Sequence, residues 1–199
     1  MKFRTALCLA ALLAAVLTPL AAADDILDEI EEAVRLYEDG DHAGAAAGLE
    51  YAALQIRQLQ AGRIADALPE PLPGWEAEDV ETSAVAGSMM GGAVSAERRY
   101  ERNGAAVDVQ ILGDAPMLQA AIMMLKNPMM LSASGRKLIR VAGRKASLEY
   151  DAGDERGEIQ LVVGDTVLVT VSGRGVGQDV LEAYAAAVDY DLVESLSGD

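Results

Sequence analysis

The sequence predicts an α+β protein: a helical hairpin first, then an antiparallel sheet with helices packed on it. Three observations carry this. Apolar residues recur at helical spacing from about 25 to 66 and alternate with polar ones after 75. Pro69, Pro71 and Pro73 mark the change. The pairs Asn103-Gly104, Gly143-Arg144 and Gly164-Asp165 each separate two stretches of strand character.

The first helix is expected over about Asp25 to Glu38, with Ile26, Ile30, Ala33, Val34 and Tyr37 on its apolar side. Asp24 and Asp25 suit its positive N-terminal end. Gly40-Asp41 breaks it, and a second helix runs from about His42 to Ala67, with Ala45, Leu49, Ala52, Ile56 and Leu59 on one side. The stretch 68–74 then reads as a stiff proline-rich linker, because proline stops a helix and favours extended chain. Trp75, the one tryptophan, is expected to anchor the next unit in its core.

From 75 to 192 the expected order is β-β-β-α-β-β-β-β-α. Strands are read near 76–85, 94–102, 105–112, 137–142, 145–150, 158–163 and 166–172. The 166–171 stretch is the most uniformly apolar and is expected at the centre of the sheet. A helix from Ala115 to Lys126 starts after Asp114, with Pro116 in its first turn. The last helix, about Gln178 to Val188, carries Val180, Leu181, Tyr184, Ala187 and Val188 on one stripe. Residues 193–199 read as a disordered tail. The domain scheme is therefore 24–67 hairpin, 68–74 linker and 75–192 sheet domain.

Residues 1–23 have the pattern of a secretory signal peptide. Lys2 and Arg4 precede an uncharged apolar run from Ala6 to Leu17, and Pro19 leads into Ala21-Ala22-Ala23 before Asp24. The run is shorter than the ~20 residues that span a bilayer. Cleavage near Ala23/Asp24 and a periplasmic or secreted location are expected. Cys8, the one cysteine, lies inside this segment. Residues 24–199 therefore have no thiol for a disulfide, a nucleophile or a thiolate metal site.

Charge narrows the partners. All 32 acidic residues and all but two of the 16 basic ones lie beyond Ala23, which leaves a net charge of −18. Such a chain is repelled by nucleic-acid phosphates and anionic lipid headgroups. No later apolar stretch reaches membrane length, so no span is expected after cleavage.

Particular residues carry three resemblances. Ala33, Tyr37, Gly40-Asp41, Ala45, Leu49 and Ala52 fall where the small and apolar positions of a tetratricopeptide repeat recur, and residues 25–57 resemble one such repeat, with Arg57 in place of its usual proline. Pro73-Gly74-Trp75, the hairpins and the two helix insertions resemble in their order the fold of PsbP-like extrinsic proteins of photosystem II. That resemblance implies a non-enzymatic assembly or accessory role and carries over no functional residues. Leu68–Trp75, Arg99-Tyr100, Asn127-Pro128-Met129-Met130 and Gly173–Gly177 make the whole chain similar to uncharacterised exported bacterial proteins that join a short helical segment to a Pro-Gly-Trp α+β domain.

The candidate chemistry is thin. Met89, Met90, Met117, Met123, Met124, Met129 and Met130 suit irregular core packing, or an apolar groove that takes a ligand or partner. As soft thioethers they also suit copper, though the chain has one histidine, His42, to help. Arg136, Lys137, Arg140, Arg144 and Lys145 form a basic cluster, and Arg98, Arg99 and Arg102 a second. These either dock a carboxylate-rich partner or pair with acidic residues on neighbouring strands. Ser134-Gly135-Arg136-Lys137 fits Ser-x-x-Lys but lacks the companion motifs of that chemistry. Gly173-Arg174-Gly175-Val176-Gly177 reads as a turn into the last helix, without the Lys-Ser/Thr of a phosphate loop.

The resulting expectation is an exported, non-enzymatic accessory or protein-interaction module of the cell envelope, without a cofactor. It includes a possible homodimer through the hairpin. The alternatives are a carrier of an apolar ligand in a methionine-lined pocket, copper binding through methionines, and hydrolase chemistry at Ser134.

Overall fold

The computed structural model describes residues 18–84, 93–113, 118, 119, 122, 123, 127, 135–164 and 166–196, with side chains from Asp25 onward. The chain is mixed α+β, with a helical hairpin followed by an eight-stranded antiparallel sheet. By its contacts it divides at Ile56/Arg57 into two units.

The first unit holds α1 (Thr18–Glu38) and most of α2 (His42–Ala65). Helix α1 starts seven residues before the expected Asp25. Alanine is the strongest helix former, so Ala21-Ala22-Ala23 continues the helix upstream. Pro19 sits in the first turn, where its missing N–H is harmless. The helix ends at Gly40, which takes the left-handed conformation with φ +84°. The Asp41 amide donates to the Leu36 carbonyl at 2.9 Å and the Gly40 amide to Tyr37 at 3.2 Å, closing a Schellman turn. Asp41 then caps α2, accepting from the Gly44 amide at 2.9 Å. Small residues line the seam between the helices. Ile26, Ala33, Ala45 and Ala52 are buried there, and a Cβ on Gly48 would stand 3.1 Å from that of Ala33.

The second unit begins inside α2, which corrects the expected hairpin of 24–67. Ala61, Ile64, Ala67 and Leu68 belong to the same core as the sheet. The strands are β1 (Glu76–Ala77), β2 (Glu81–Ala84), β3 (Val94–Arg102), β4 (Ala105–Gly113), β5 (Lys137–Val141), β6 (Arg144–Asp151), β7 (Arg156–Val163) and β8 (Val167–Arg174). Their order is β1-β3-β4-β8-β7-β6-β5, with β2 also paired to β3. The apolar β8 is central, as its sequence implied. Helix α3 (Gln178–Ala187) packs on β7 and β8, and α4 (Tyr190–Leu196) comes directly after it.

One face of the sheet carries the main core. Val107, Val109 and Ile111 of β4, Val167, Val169 and Val171 of β8, and Ile159, Leu161 and Val163 of β7 line it. Leu181 and Tyr184 of α3 cover it. Gly157 and Gly173 are directly paired across β7 and β8. Leu181 seats on them: added Cβ atoms would lie 2.9 Å and 2.7 Å from its methyls. The opposite face carries an apolar cluster at one end, where Leu118 and Ile122, both helical, pack on Leu168, Leu112 and Val162. The rest of the expected 115–126 helix lies outside the described residues.

Two boundaries differ from the sequence reading. The β5–β6 turn centres on Ala142-Gly143, both at positive φ (47° and 77°), where the sequence pointed to Gly143-Arg144. The chain from 193 is not a loose tail up to 196, because Val193 and Tyr190 are buried and hold α4 on the core. Residues 197–199 lie outside the described ones.

The proline segment is clamped to the sheet domain and is no free spacer. Tyr100 Oη donates to the Pro69 carbonyl at 2.5 Å, and the Leu72 amide donates to Tyr184 Oη at 3.4 Å. The Asp189 amide donates to the Ala67 carbonyl at 3.1 Å. Trp75 is buried edge-on to Tyr184, with ring centres 5.5 Å apart, and Tyr100 lies 4.5 Å from the same ring. Burial pushes the Tyr100, Tyr184 and Tyr190 phenols above their usual range.

The glycine seat predicts opposite outcomes at two glycines. Gly157→Ala meets Leu181 and the Glu149 carbonyl and is expected to cost about 1–3 kcal/mol. Gly62→Ala, in α2 with open space around it, is expected to stabilise by about 0.5–1 kcal/mol. Urea denaturation midpoints check both. The phenols predict an alkaline limit. Unfolded tyrosine ionises near pH 10, while the buried native phenols hold their protons beyond it. Their contribution is therefore intact below about pH 10 and falls as pH rises above it. Stability measured from pH 8 to 11.5 should be level at first and then drop, and Tyr190→Phe should make the drop shallower.

Candidate functional site

Alternation along the strands gives the sheet's second face a ladder of polar side chains. One row across it reads Arg99, Asp108, Ser172, Glu158 and Glu149, from β3 through β4, β8 and β7 to β6. The next reads Glu97, Gln110, Thr170, Gln160 and Ser147. On the other side of the first row stand Arg174, Arg156 and Asp151.

Glu149 and Glu158 face each other directly, a like-charge pairing that is unfavourable by itself. Arg136, just before β5, resolves it. Its guanidinium reaches Glu158 at 2.5 Å and Glu149 at 3.3 Å. It also donates to Gln160 at 2.7 Å and to Ser147 Oγ at 3.3 Å. Ser147 is the one buried polar side chain among the described residues, so Arg136 satisfies it as well. The Arg136 side chain is only 14% exposed, so its pairs are better shielded from water than an open surface bridge. Along the row, Arg99 binds Glu101 at 2.8 Å and Asp108 at 3.1 Å. The hydrogen bond that Arg99 donates to Glu101 and then the charge of Asp108 raise its pKa.

A cleft of about 530 Å³ lies along this polar ladder. Asp108, Arg136, Glu149, Glu158, Arg156 and Arg174 are among its walls. It is a charged surface trough, where an apolar-ligand site would be lined mainly by hydrophobic side chains.

The sequence-derived basic cluster does not form one patch. Arg136, Arg140 and Lys145 lie on the polar face, while Lys137 and Arg144 fall on the helix-covered one. Arg136 is consumed by its carboxylates. Arg144 lies over the Tyr190 ring at 5.0 Å and pairs with Glu194. Arg140 donates to the Gly143 carbonyl at 3.3 Å. Of the second cluster, Arg102 lies 4.6 Å over the Trp75 ring and Arg98 donates to the Glu78 carbonyl at 3.0 Å. Most of these arginines thus pair locally.

Met123 faces solvent at 65% exposure. Met89, Met90, Met117, Met124, Met129 and Met130 lie outside the described residues, as does Ser134. His42 is exposed, its ring 5.1 Å from that of Tyr37. Among the described residues, no three or more His, Cys, Asp or Glu side chains are placed to hold a metal ion. Of the expected 173–177 turn, Gly173 and Arg174 end β8 and residues 175–177 lead into α3, tied by the Val176 amide to the Glu155 carbonyl and by Tyr150 Oη to the Val176 carbonyl.

The hairpin carries a different feature. Leu27 and Val34 of α1 and Leu49 and Ile56 of α2 are 43–58% exposed. At 100° per residue, Leu27 and Val34 lie on one flank of the α1 seam, and Leu49 and Ile56 on one flank of the α2 seam. In an antiparallel pair those two flanks fall on the same side. Of the residues expected on one side of α2, Ala45 and Ala52 are buried in the seam, while Leu49, Ile56 and Leu59 are open.

No family model, curated protein or solved structure matches this chain. Among the described residues, no helix is long and apolar enough to cross a membrane.

Arg136 predicts a sharp stability effect. Arg136→Met leaves Glu149 and Glu158 opposed and Ser147 without its donor. The expected cost is about 1–3 kcal/mol in urea denaturation. Adding Glu158→Gln to that variant should recover part of the loss, because it removes the repulsion.

Proposed function

We propose that this chain is an exported, non-enzymatic accessory protein of the cell envelope that binds another protein through the open flank of its hairpin. The observation that carries the reading is the placement of Leu27, Val34, Leu49 and Ile56 on one side of two antiparallel helices. Between Asp24 and Ile56 the chain has ten carboxylates against one arginine, Arg35. The flank is therefore an apolar strip in a strongly negative surround. Its complement is an amphipathic helix with a basic polar face, which buries its apolar side on the strip and meets the carboxylates with its cations. A second copy of the hairpin would bring ten carboxylates against ten, so charge opposes self-pairing. The signal-like 1–23 segment supports export. The buried residues of α1 described, Ile26 and Ala33, both lie beyond the expected cleavage point, so the seam survives cleavage.

A titration with synthetic peptides tests this. The probe is an 18-residue helix of leucines on one face and lysines on the other, with a scrambled peptide of the same composition as control. Micromolar binding that weakens with salt is expected, at least tenfold tighter than for the scrambled control. Leu49→Gln with Ile56→Gln should weaken it at least tenfold, with the circular dichroism unchanged. Equal binding of both peptides would overturn the reading. So would a dimer of the unliganded chain that the two substitutions dissociate.

A further inference from the structure

Two like-charged pairs stand side by side on the polar face of the sheet, and only one of them is neutralised. Glu149 and Glu158 are bridged by Arg136. One row further, Arg156 of β7 and Arg174 of β8 are directly opposite each other. Both are exposed, and neither makes an ion pair or hydrogen bond among the described residues. Directly opposed residues have Cβ atoms only about 5 Å apart, so two facing guanidinium groups repel. This occurs in a chain with twice as many carboxylates as cations.

Most of the surrounding carboxylates are engaged elsewhere. Asp151 is directly opposite Arg156, but its Oδ1 accepts from the Gly153 and Asp154 amides at 2.8 Å and 3.3 Å. That turn holds the carboxylate on the backbone. Asp108 and Glu101 are taken by Arg99. Glu158 is taken by Arg136. Ser172, two residues before Arg174 on the same face, adds a hydroxyl with no described partner. All of these groups except Glu101 and Arg99 face the 530 Å³ cleft. Asp108, Glu149, Asp151, Asp154 and Glu158 line it beside three arginines, and this excess of carboxylates limits affinity for an anion.

We propose that Arg156 and Arg174 form a binding site for one oxyanion group, a carboxylate or phosphate borne by a small ligand. Arg156 and Arg174 are register partners on adjacent strands, and a guanidinium from each can donate N–H groups to the same planar carboxylate or phosphate. The anion supplies the counter-charge that Arg136 gives a pair of opposite sign in the neighbouring row. The Gly157–Gly173 seat for Leu181 fixes β7 and β8 between these rows, so the two arginines are held by rigid strands. The site is on the sheet and does not depend on the hairpin reading above.

Titration of the full chain with succinate and, separately, inorganic phosphate tests the proposal. The readout is the arginine side-chain Nε–Hε resonances at low ionic strength. Saturable shifts of Arg156 and Arg174 are expected with at least one probe, at millimolar affinity. A response to succinate alone assigns a carboxylate, and a response to phosphate alone assigns a phosphate. Arg156→Gln and Arg174→Gln should each weaken binding at least tenfold, while Arg140→Gln leaves it unchanged. Because each removes a repulsion, neither should lower the melting temperature. Absence of saturable shifts with both probes would overturn the proposal. So would binding that persists in the double variant, or an equal loss in Arg140→Gln.

Discussion

The clamp on the proline segment is the contact on which the architecture rests. A chain with Pro69, Pro71 and Pro73 has few amides with which to join a sheet, yet it is partly buried. A buried carbonyl without a donor costs on the order of 1–3 kcal/mol. Tyr100 of β3 supplies that donor to Pro69, and Tyr184 of α3 accepts the Leu72 amide. The Tyr184 ring also packs against both Tyr100 and Trp75. The same contacts thus hold the strand, the last long helix and the connector together. Once the connector is fixed, Ala61 and Ile64 at the end of α2 are carried into the sheet's core.

The register of β7 and β8 then sets both faces of the sheet at once. Pairing Gly157 with Gly173 leaves a hollow for Leu181 on the core side. The same register places Glu158 against Ser172 and Arg156 against Arg174 on the polar side. A slip of one residue would turn charges into the core and valines outward. The large apolar core thus enforces the arrangement of the polar ladder, and charge repulsion within that ladder is tolerated because the core outweighs it.

Much of the fold was legible in the residues. Asn103-Gly104 takes positive φ at both positions, as that pair favours, and β3 and β4 flank it. The alternation of Ile159, Leu161 and Val163 marked β7 correctly, because one face of that strand is fully buried. The Ala142-Gly143 turn was hidden, since alanine has no preference for the left-handed region it adopts. Helix α4 was hidden because seven residues make barely two turns, too few to establish a helical period. The prolines suggested a spacer, and their composition alone says nothing of the tyrosines that bind them. The polar ladder was the least legible part. Arg136 meets partners 11 to 24 residues away, and the Arg156–Arg174 pairing exists only once the register is known.

Residue-resolved hydrogen exchange of the full chain tests the division at Ile56/Arg57 most directly. The account predicts that the amides of Ala61, Ile64, Ala67, Leu68, Leu72 and Trp75 exchange together with the sheet at the highest protection. The amides of Ile26 to Ala52 should open separately at lower free energy, because their seam is made of small residues. Exchange of Ala61 to Leu68 in step with the hairpin, or ahead of the sheet, would contradict the clamp.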